Sequence, residues 1–354
     1  MKKEFLISII CPLYNKENYI KETINSVLNQ TYLNWELIIV DDQSTDSSFS
    51  IAREFSYKYN NIKVFNRGKY TNLKGGSSCR NLGVSFAKGD FIMFLDADDV
   101  ILPNCLFSRY DVISGKFDKN FFIFNHAFFY KNVHHYFVNN TEFIISKVLF
   151  GMSQNKKIHL IKRFLKYHLP FTISNVIWRK DFFLQVGGFD PDFSRLQDPQ
   201  LHTKALLMDN ISLVCVKYKS KPDVLIRLDP ERHANNELGD EVNKFHSFIK
   251  NSIKYIKETK LLLDSKGFGG FSKYLNGYFY NAQIRYWKLR GQYLNDEAEL
   301  VSNALARMNS ARSEIGIAET ALFRLKVRIL KFLMFNTITR KMKLDVCFNF
   351  VIML

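Results

Sequence analysis

Apolar positions in the first hundred residues alternate between short solid blocks and longer stretches at helical spacing. Leu6–Cys11 and Trp35–Val40 are nearly unbroken apolar runs, the pattern of strands buried on both faces. Between them, Tyr19, Ile20, Thr23, Ile24, Val27 and Leu28 fall at helical spacing and predict a helix within Lys16–Asn29. Ser44 or Thr45 is placed to cap a second helix over Asp46–Tyr59, before a third strand at Ile62–Phe65. A glycine-opened helix at Gly75–Lys88 and a fourth strand at Asp90–Leu95 complete the series. Strict alternation of strand and helix predicts an α/β domain built on a mostly parallel sheet flanked by helices.

Beyond residue 100 the pattern loosens. Pro103 opens a helix to about Ile113, Phe121–Tyr130 and His134–Val138 are β-like, and Ser174–Lys180 reads as a strand. A helical turn at Asp181–Val186 stops at Gly187-Gly188. From about residue 237 the character changes to helices at Glu241–Leu263, Phe271–Arg290, Asp296–Arg312 and Ile317–Phe335. The expected organisation is an α/β domain over 1–235, divisible at about residue 100. A basic helical region follows over 236–354.

Composition adds an asymmetry. The chain has 354 residues, 33 of them Phe, with 47% hydrophobic positions, which excludes disorder as its main state. Its net charge is +16, yet residues 1–100 hold 12 basic and 12 acidic side chains, so the excess lies wholly in the rest. A basic surface attracts nucleic acid, anionic lipid or phosphorylated substrates, and charge alone does not choose among them. Nucleic acid is disfavoured, because no recognised module or basic–aromatic stripe accompanies the charge. Five scattered cysteines without CxxC spacing argue against a disulfide framework or structural zinc, and fit a reducing cytoplasm. The opening Met-Lys-Lys and Phe5–Leu13 read as a buried first strand and not a secretory signal, because Glu4 begins the run and no small-residue cleavage site follows. The densest apolar stretches fall short of the roughly 20 residues needed to cross a bilayer.

Residues with chemistry collect where the strands end: Pro12-Leu13-Tyr14-Asn15, Asp41-Asp42, and Asp96-Ala97-Asp98-Asp99. In open α/β sheets ligands bind beyond those carboxyl ends. Carboxylates gathered on one rim repel unless a cation joins them, and hard oxygen ligands favour Mg2+ or Mn2+. Each cluster also has a plain structural role, Asp41-Asp42 as a helix cap and Asp96–Asp99 as a solvated turn. A dinucleotide-binding Rossmann domain needs G-x-G-x-x-G after the first strand. Pro12–Glu17 holds no glycine there, and a P-loop is likewise missing.

Four blocks in order, Pro12-x-Tyr14-Asn15, Asp41-Asp42-x-Ser44-x-Asp46, Ser78-Cys79-Arg80-Asn81-x-Gly83 and Phe94-Leu95-Asp96-Ala97-Asp98-Asp99, make the chain resemble the family-2 glycosyltransferases of the GT-A fold over roughly residues 5–230. The resemblance implies a nucleotide-sugar donor, expected to be a UDP-sugar, lying across the strand ends. It places Pro12, Tyr14 and Asp41 by the base and ribose, Asn15 and Asp42 also on the donor, and Arg80 near the base and diphosphate. Asp96 and Ala97 lie on the donor in a D-x-D element, and Asp98 is implied as the ligand of Mn2+ or Mg2+. It also implies a general base in a Glu-Asp pair after Gly-Gly-Phe-Asp. Here Gly187-Gly188-Phe189-Asp190 precedes Gln197-Asp198-Pro199, so Asp198 takes the second position and Gln197 departs from the first. Asp198 before Pro199 also suits a helix N-cap.

By the same resemblance residues 1–100 bind the nucleotide-sugar and 101–235 form the acceptor side, where Asn175, Trp178 and Arg179 face the acceptor, a glycan or lipid-linked molecule. The implied reaction is a single inverting, metal-dependent sugar transfer. Related enzymes act in capsule, lipopolysaccharide or exopolysaccharide biosynthesis at the cytoplasmic face of a membrane. The alternative is a nucleotide-sugar-binding protein that has lost catalysis. Residues 316–343 hold seven Lys/Arg and one Glu. The final helix, with Arg324, Arg328 and Lys331 opposite an apolar face, either lies on an anionic membrane surface or packs on the protein with its basic side in water.

Overall fold

The computed structural model describes residues 3–138, 155–216, 221–228, 238–290 and 296–317, together with Val327. The chain divides into two compact units, one of residues 1–159 and 170–233, the other of 160–169 and 234–354.

In the first unit, β1 (Ile7–Leu13), α1 (Ile20–Leu28), β2 (Trp35–Asp41), α2 (Ser48–Lys58), β3 (Ile62–Asn66), α3 (Gly76–Phe86) and β4 (Phe91–Phe94) follow one another as the apolar pattern predicts. There follow β5 (Val100–Ile101), α4 (Cys105–Ser114), β6 (Phe121–Ile123), β7 (His126–Phe129) and β8 (Tyr136–Phe137). After α5 (Lys156–Leu165), which runs on into the second unit, come β9 (Val176–Arg179), α6 (Lys180–Val186), α7 (Gln197–Leu206), β10 (Leu213–Cys215) and β11 (Val224–Arg227).

Seven strands form the main sheet in the order β10-β6-β9-β4-β1-β2-β3, and β5-β11-β7-β8 form a smaller one. Strands β1 to β4 pair in parallel, while β9 runs antiparallel between β4 and β6. Chain order reverses between β1 and β4, and that reversal opens a crevice at their carboxyl ends. Ile7, Ile9, Ile10, Leu37, Ile38, Ile39, Val40 and Phe91–Leu95 are all removed from water, as expected of strands covered on both faces. Helix α3 lies so close to β1 that a Cβ at Gly83 would fall 2.4 Å from Ile10 Cγ2.

The second unit contains α8 (Leu238–Ser265), a 3-10 segment (Gly269–Leu275), α9 (Asn276–Arg290) and α10 (Asp296–Ile315). Tyr278, Phe279, Tyr280 and Tyr286 are buried, with Tyr278 against Tyr255 and Tyr167. The helix expected at Ile317–Phe335 lies almost wholly outside the described residues. Among the described residues, no helix is long and apolar enough to cross a membrane.

Candidate active site

Backbone geometry at the end of β1 begins the site. Asn15 takes a left-handed conformation (φ 47°), its N–H donates to Ser44 Oγ, and its side-chain oxygen accepts from the N–H of Thr45 at 2.9 Å. The Pro12–Asn15 turn is thereby locked to the loop after β2, leaving Tyr14 exposed at the rim. Asp41 is fully buried and accepts from the N–H of Ser44, and loss of water pushes its carboxyl up. Asp42 pairs with the buried guanidinium of Arg67 and accepts from the N–H of Gly75 at 2.8 Å, joining the β2 loop to the start of α3. The expected cap by Ser44 or Thr45 is absent. Helix α2 begins at Ser48, with Asp46 accepting from the Ser48 N–H, while Ser44 serves Asp41 and Asn15.

Helix α3 carries Arg80 and Asn81 into the crevice. Arg80 is buried, donates from Nη2 to Asp96 at 2.6 Å and from Nη1 to the Gln197 side-chain oxygen at 3.0 Å, and lies over the Phe189 ring. Asn81 exchanges two hydrogen bonds with the backbone of Phe189, N–H to side-chain oxygen at 2.9 Å and amide to carbonyl at 2.8 Å. Together these contacts fasten the Gly187–Asp190 loop and the head of α7 to α3 and the end of β4.

The acidic block after β4 divides into three environments. Asp96 is partly exposed and held by Arg80. Ala97 is buried, and its carbonyl accepts from the Thr23 hydroxyl at 3.0 Å. Asp98 is bound by the Lys16 ammonium at 2.5 Å. Asp99 is buried, bonded by the N–H of Arg227 and the hydroxyl of Ser174. Burial and the neighbouring Asp96 and Asp98 charges push its carboxyl well up. Asp99 is thus a buried support and not a surface ligand.

Among the described residues no three His, Cys, Asp or Glu converge on one point. A divalent cation is compatible with this set if Asp98 supplies one oxygen and donor phosphates supply the rest, a common arrangement for Mg2+. Asp98 is paired with the Lys16 ammonium, as Asp96 is with the Arg80 guanidinium.

Asp198 sits in the first turn of α7 and does not cap it. The residue preceding the helix is Leu196, in a left-handed conformation (φ 63°), and Asp198 accepts from the N–H of Ile173 at 3.1 Å. Burial pushes the Asp198 carboxyl up to about 6, helped by Asp96 and opposed by Arg80 and the Ile173 N–H. The structure therefore replaces the cap expectation with a desolvated carboxylate beside an arginine.

Asn175 and Trp178, expected on the acceptor side, are fully buried. The Asn175 amide is spent on Thr172 and the Phe124 carbonyl, and Trp178 packs among Phe121, Phe183 and His202. Neither presents a surface to an acceptor. Arg179 donates to Asp181 and to the Phe117 carbonyl. Sequence reading overlooked Lys16 and Arg67, whose lysine and arginine side chains carry no motif; only their pairing with Asp98 and Asp42 reveals them.

Residues 8–183 match the family model described as Glycosyl transferase family 2. A curated relative, the UDP-Glc:alpha-D-GlcNAc-diphosphoundecaprenol beta-1,3-glucosyltransferase WfgD of Escherichia coli, is 44% identical over 103 residues, which are 29% of this chain and 39% of that protein. The matched stretch thus spans well under two thirds of that relative's length. Among solved structures, S. aureus TarS 1-349 in complex with UDP-GlcNAc superposes with a TM-score of 0.60 at 18% identity, covering 92% of this chain and 87% of that one. The mannosyltransferase PcManGT from Pyrobaculum calidifontis, in complex with GDP-Man and Mn2+, gives 0.51 at 14% identity over 96% and 83%. At such identities the structural likeness is one of fold, and that fold is GT-A.

Proposed function

From the premise that residues 8–183 of this chain are a glycosyl transferase family 2 domain, we propose that the protein transfers a single sugar from a nucleotide-sugar donor to a glycan or lipid-linked acceptor. The observation that carries this reading is the Arg80 contact set. One buried guanidinium reaches Asp96 of the donor block and Gln197, the neighbour of Asp198, so donor and base residues share one crevice.

In this reading Pro12, Tyr14, Asn15, Asp41 and Asp42 form the base and ribose side, Arg80 faces the diphosphate, and Asp96 and Ala97 line the sugar side. Asp98 would hold Mn2+ or Mg2+ together with donor phosphates. When bound, the cation neutralises charge on the leaving diphosphate. Asp198 takes the proton of the acceptor hydroxyl, whose oxygen attacks the anomeric carbon as the bond to the diphosphate breaks, giving inversion. Burial suits Asp198 to this task, because a carboxylate with proton affinity raised to about 6 is a stronger base near neutrality. The name of WfgD pairs UDP-Glc with an undecaprenol-linked diphosphate sugar, which supports a UDP-sugar donor and a lipid-linked acceptor for this chain; the reading extends to cell-surface polysaccharide synthesis at the cytoplasmic face of a membrane.

Replacing Asp198 with Asn tests the assignment. Donor affinity should persist while transfer falls by at least about a hundredfold. Turnover close to wild type would remove Asp198 from the base role.

A further inference from the structure

Gln197 and Asp198 stand side by side at the head of α7, delivered by the left-handed turn at Leu196. The Gln197 amide is fixed at both ends. Its nitrogen donates to the Phe193 carbonyl at 2.9 Å, so its oxygen is the end offered to Arg80, at 3.0 Å. The guanidinium is confined on its other sides by Asp96, by the Phe189 ring and by the backbone at Gly76, where a Cβ would fall 3.0 Å from Nη1. Among the described residues, Arg80 Nε has no hydrogen-bond partner although it is buried. Arg80 is thus a buried cation with one carboxylate ligand, one neutral ligand and an unspent donor.

We propose that Gln197 is a positioning residue: a neutral acceptor that seats Arg80 between Asp96 and the head of α7 and, by carrying no charge, leaves the guanidinium free to act on the neighbouring Asp198. The inference rests on the base reading of Asp198 and deepens it. A carboxylate at position 197 would take Arg80 as an ion-pair partner and add a like charge beside Asp198, and both effects hold the proton more tightly. Among the described residues, the charged groups acting on Asp198 are Arg80 from α3, which lowers its proton affinity, and Asp96 from the end of β4, which raises it. His202, on the same helix, is kept neutral by burial, with its imidazole pushed down to about 3.

Carbon-13 NMR titration of the full chain, labelled at aspartate carboxyls and assigned by the signal that disappears in D198N, reads this directly. Q197E should raise the Asp198 midpoint by about one pH unit. Q197M, which removes the acceptor without adding charge, should move it by less than half as much while weakening UDP binding. Q197D brings the same charge on a shorter stem and gives the same upward direction should Q197E misfold. A midpoint unchanged by the added charge, or raised equally by the charged and uncharged replacements, overturns the proposal. The base reading fails separately, through retained turnover in D198N, whatever the titration shows.

Discussion

Asp198 carries the sharpest consequences at the scale of single residues. Its base form is the deprotonated one, and its carboxyl is raised to about 6. Transfer should therefore fall about tenfold per unit as pH drops below about 6, and level off above pH 7. A pH profile of kcat/KM measures this; a flat profile down to pH 5 would detach Asp198 from catalysis. The sign for stability is opposite. A carboxyl whose proton is held more tightly in the folded state stabilises the fold at low pH, and that contribution is lost as pH rises through about 6. At pH 7.5, D198N should then leave the thermal midpoint unchanged or raise it, despite abolishing transfer. Sequence motifs pointed to Asp198, but its rival role as a cap was settled only by the backbone. Leu196 turns left-handed and Asp198 spends its oxygen on Ile173, a residue 25 positions away. Gly76→Ala is a further test at this scale. Its Cβ would press on Arg80 Nη1, so nucleotide affinity should weaken at least about tenfold in calorimetric titration while the fold persists by circular dichroism.

Helix α3 shows at the scale of elements why one segment serves both packing and site. Glycine at 83 lets the helix approach β1, and Arg80 and Asn81 then reach Asp96, Gln197 and the Phe189 backbone. Gly83→Ala should lower the thermal midpoint, costing about 1–3 kcal/mol as the added methyl forces Ile10 aside. A variant as stable as wild type in a thermal melt would mean the interface is looser than described. Elements β1 to β4 were legible because burial on both faces leaves nearly unbroken apolar runs. In the second sheet β7 and β8 fall within the runs read as β-like, but β5 and β11 were not read, because both are short and β11 pairs only with strands far away in the chain. Asn175 and Trp178 misled for a different reason. Both were expected on the acceptor side through the family resemblance alone, which does not tell an exposed position from a buried one, and only the bonds to Thr172 and Phe124 and the rings around Trp178 reveal a core role.

At the scale of the whole molecule, the charge split follows the proposed division of labour. The first hundred residues are neutral overall and supply the carboxylate rim, while the +16 excess lies beyond them, where an acceptor bearing phosphate would be favoured. In the proposed reading, divalent cation dependence belongs to this assembled rim. Transfer should cease in EDTA and return with Mn2+ or Mg2+, and Asp98→Asn should weaken Mn2+-dependent nucleotide binding. Undiminished transfer in EDTA would release Asp98 from the metal role.

Calorimetric titration of the full chain with UDP, and with a panel of nucleotide sugars in the presence of Mn2+, tests most directly whether the strand-end crevice grips an activated sugar. Saturable binding of at least one nucleotide, weakened at least about tenfold by Arg80→Ala, is the predicted result. No binding by any nucleotide diphosphate, or binding indifferent to Arg80, would contradict it.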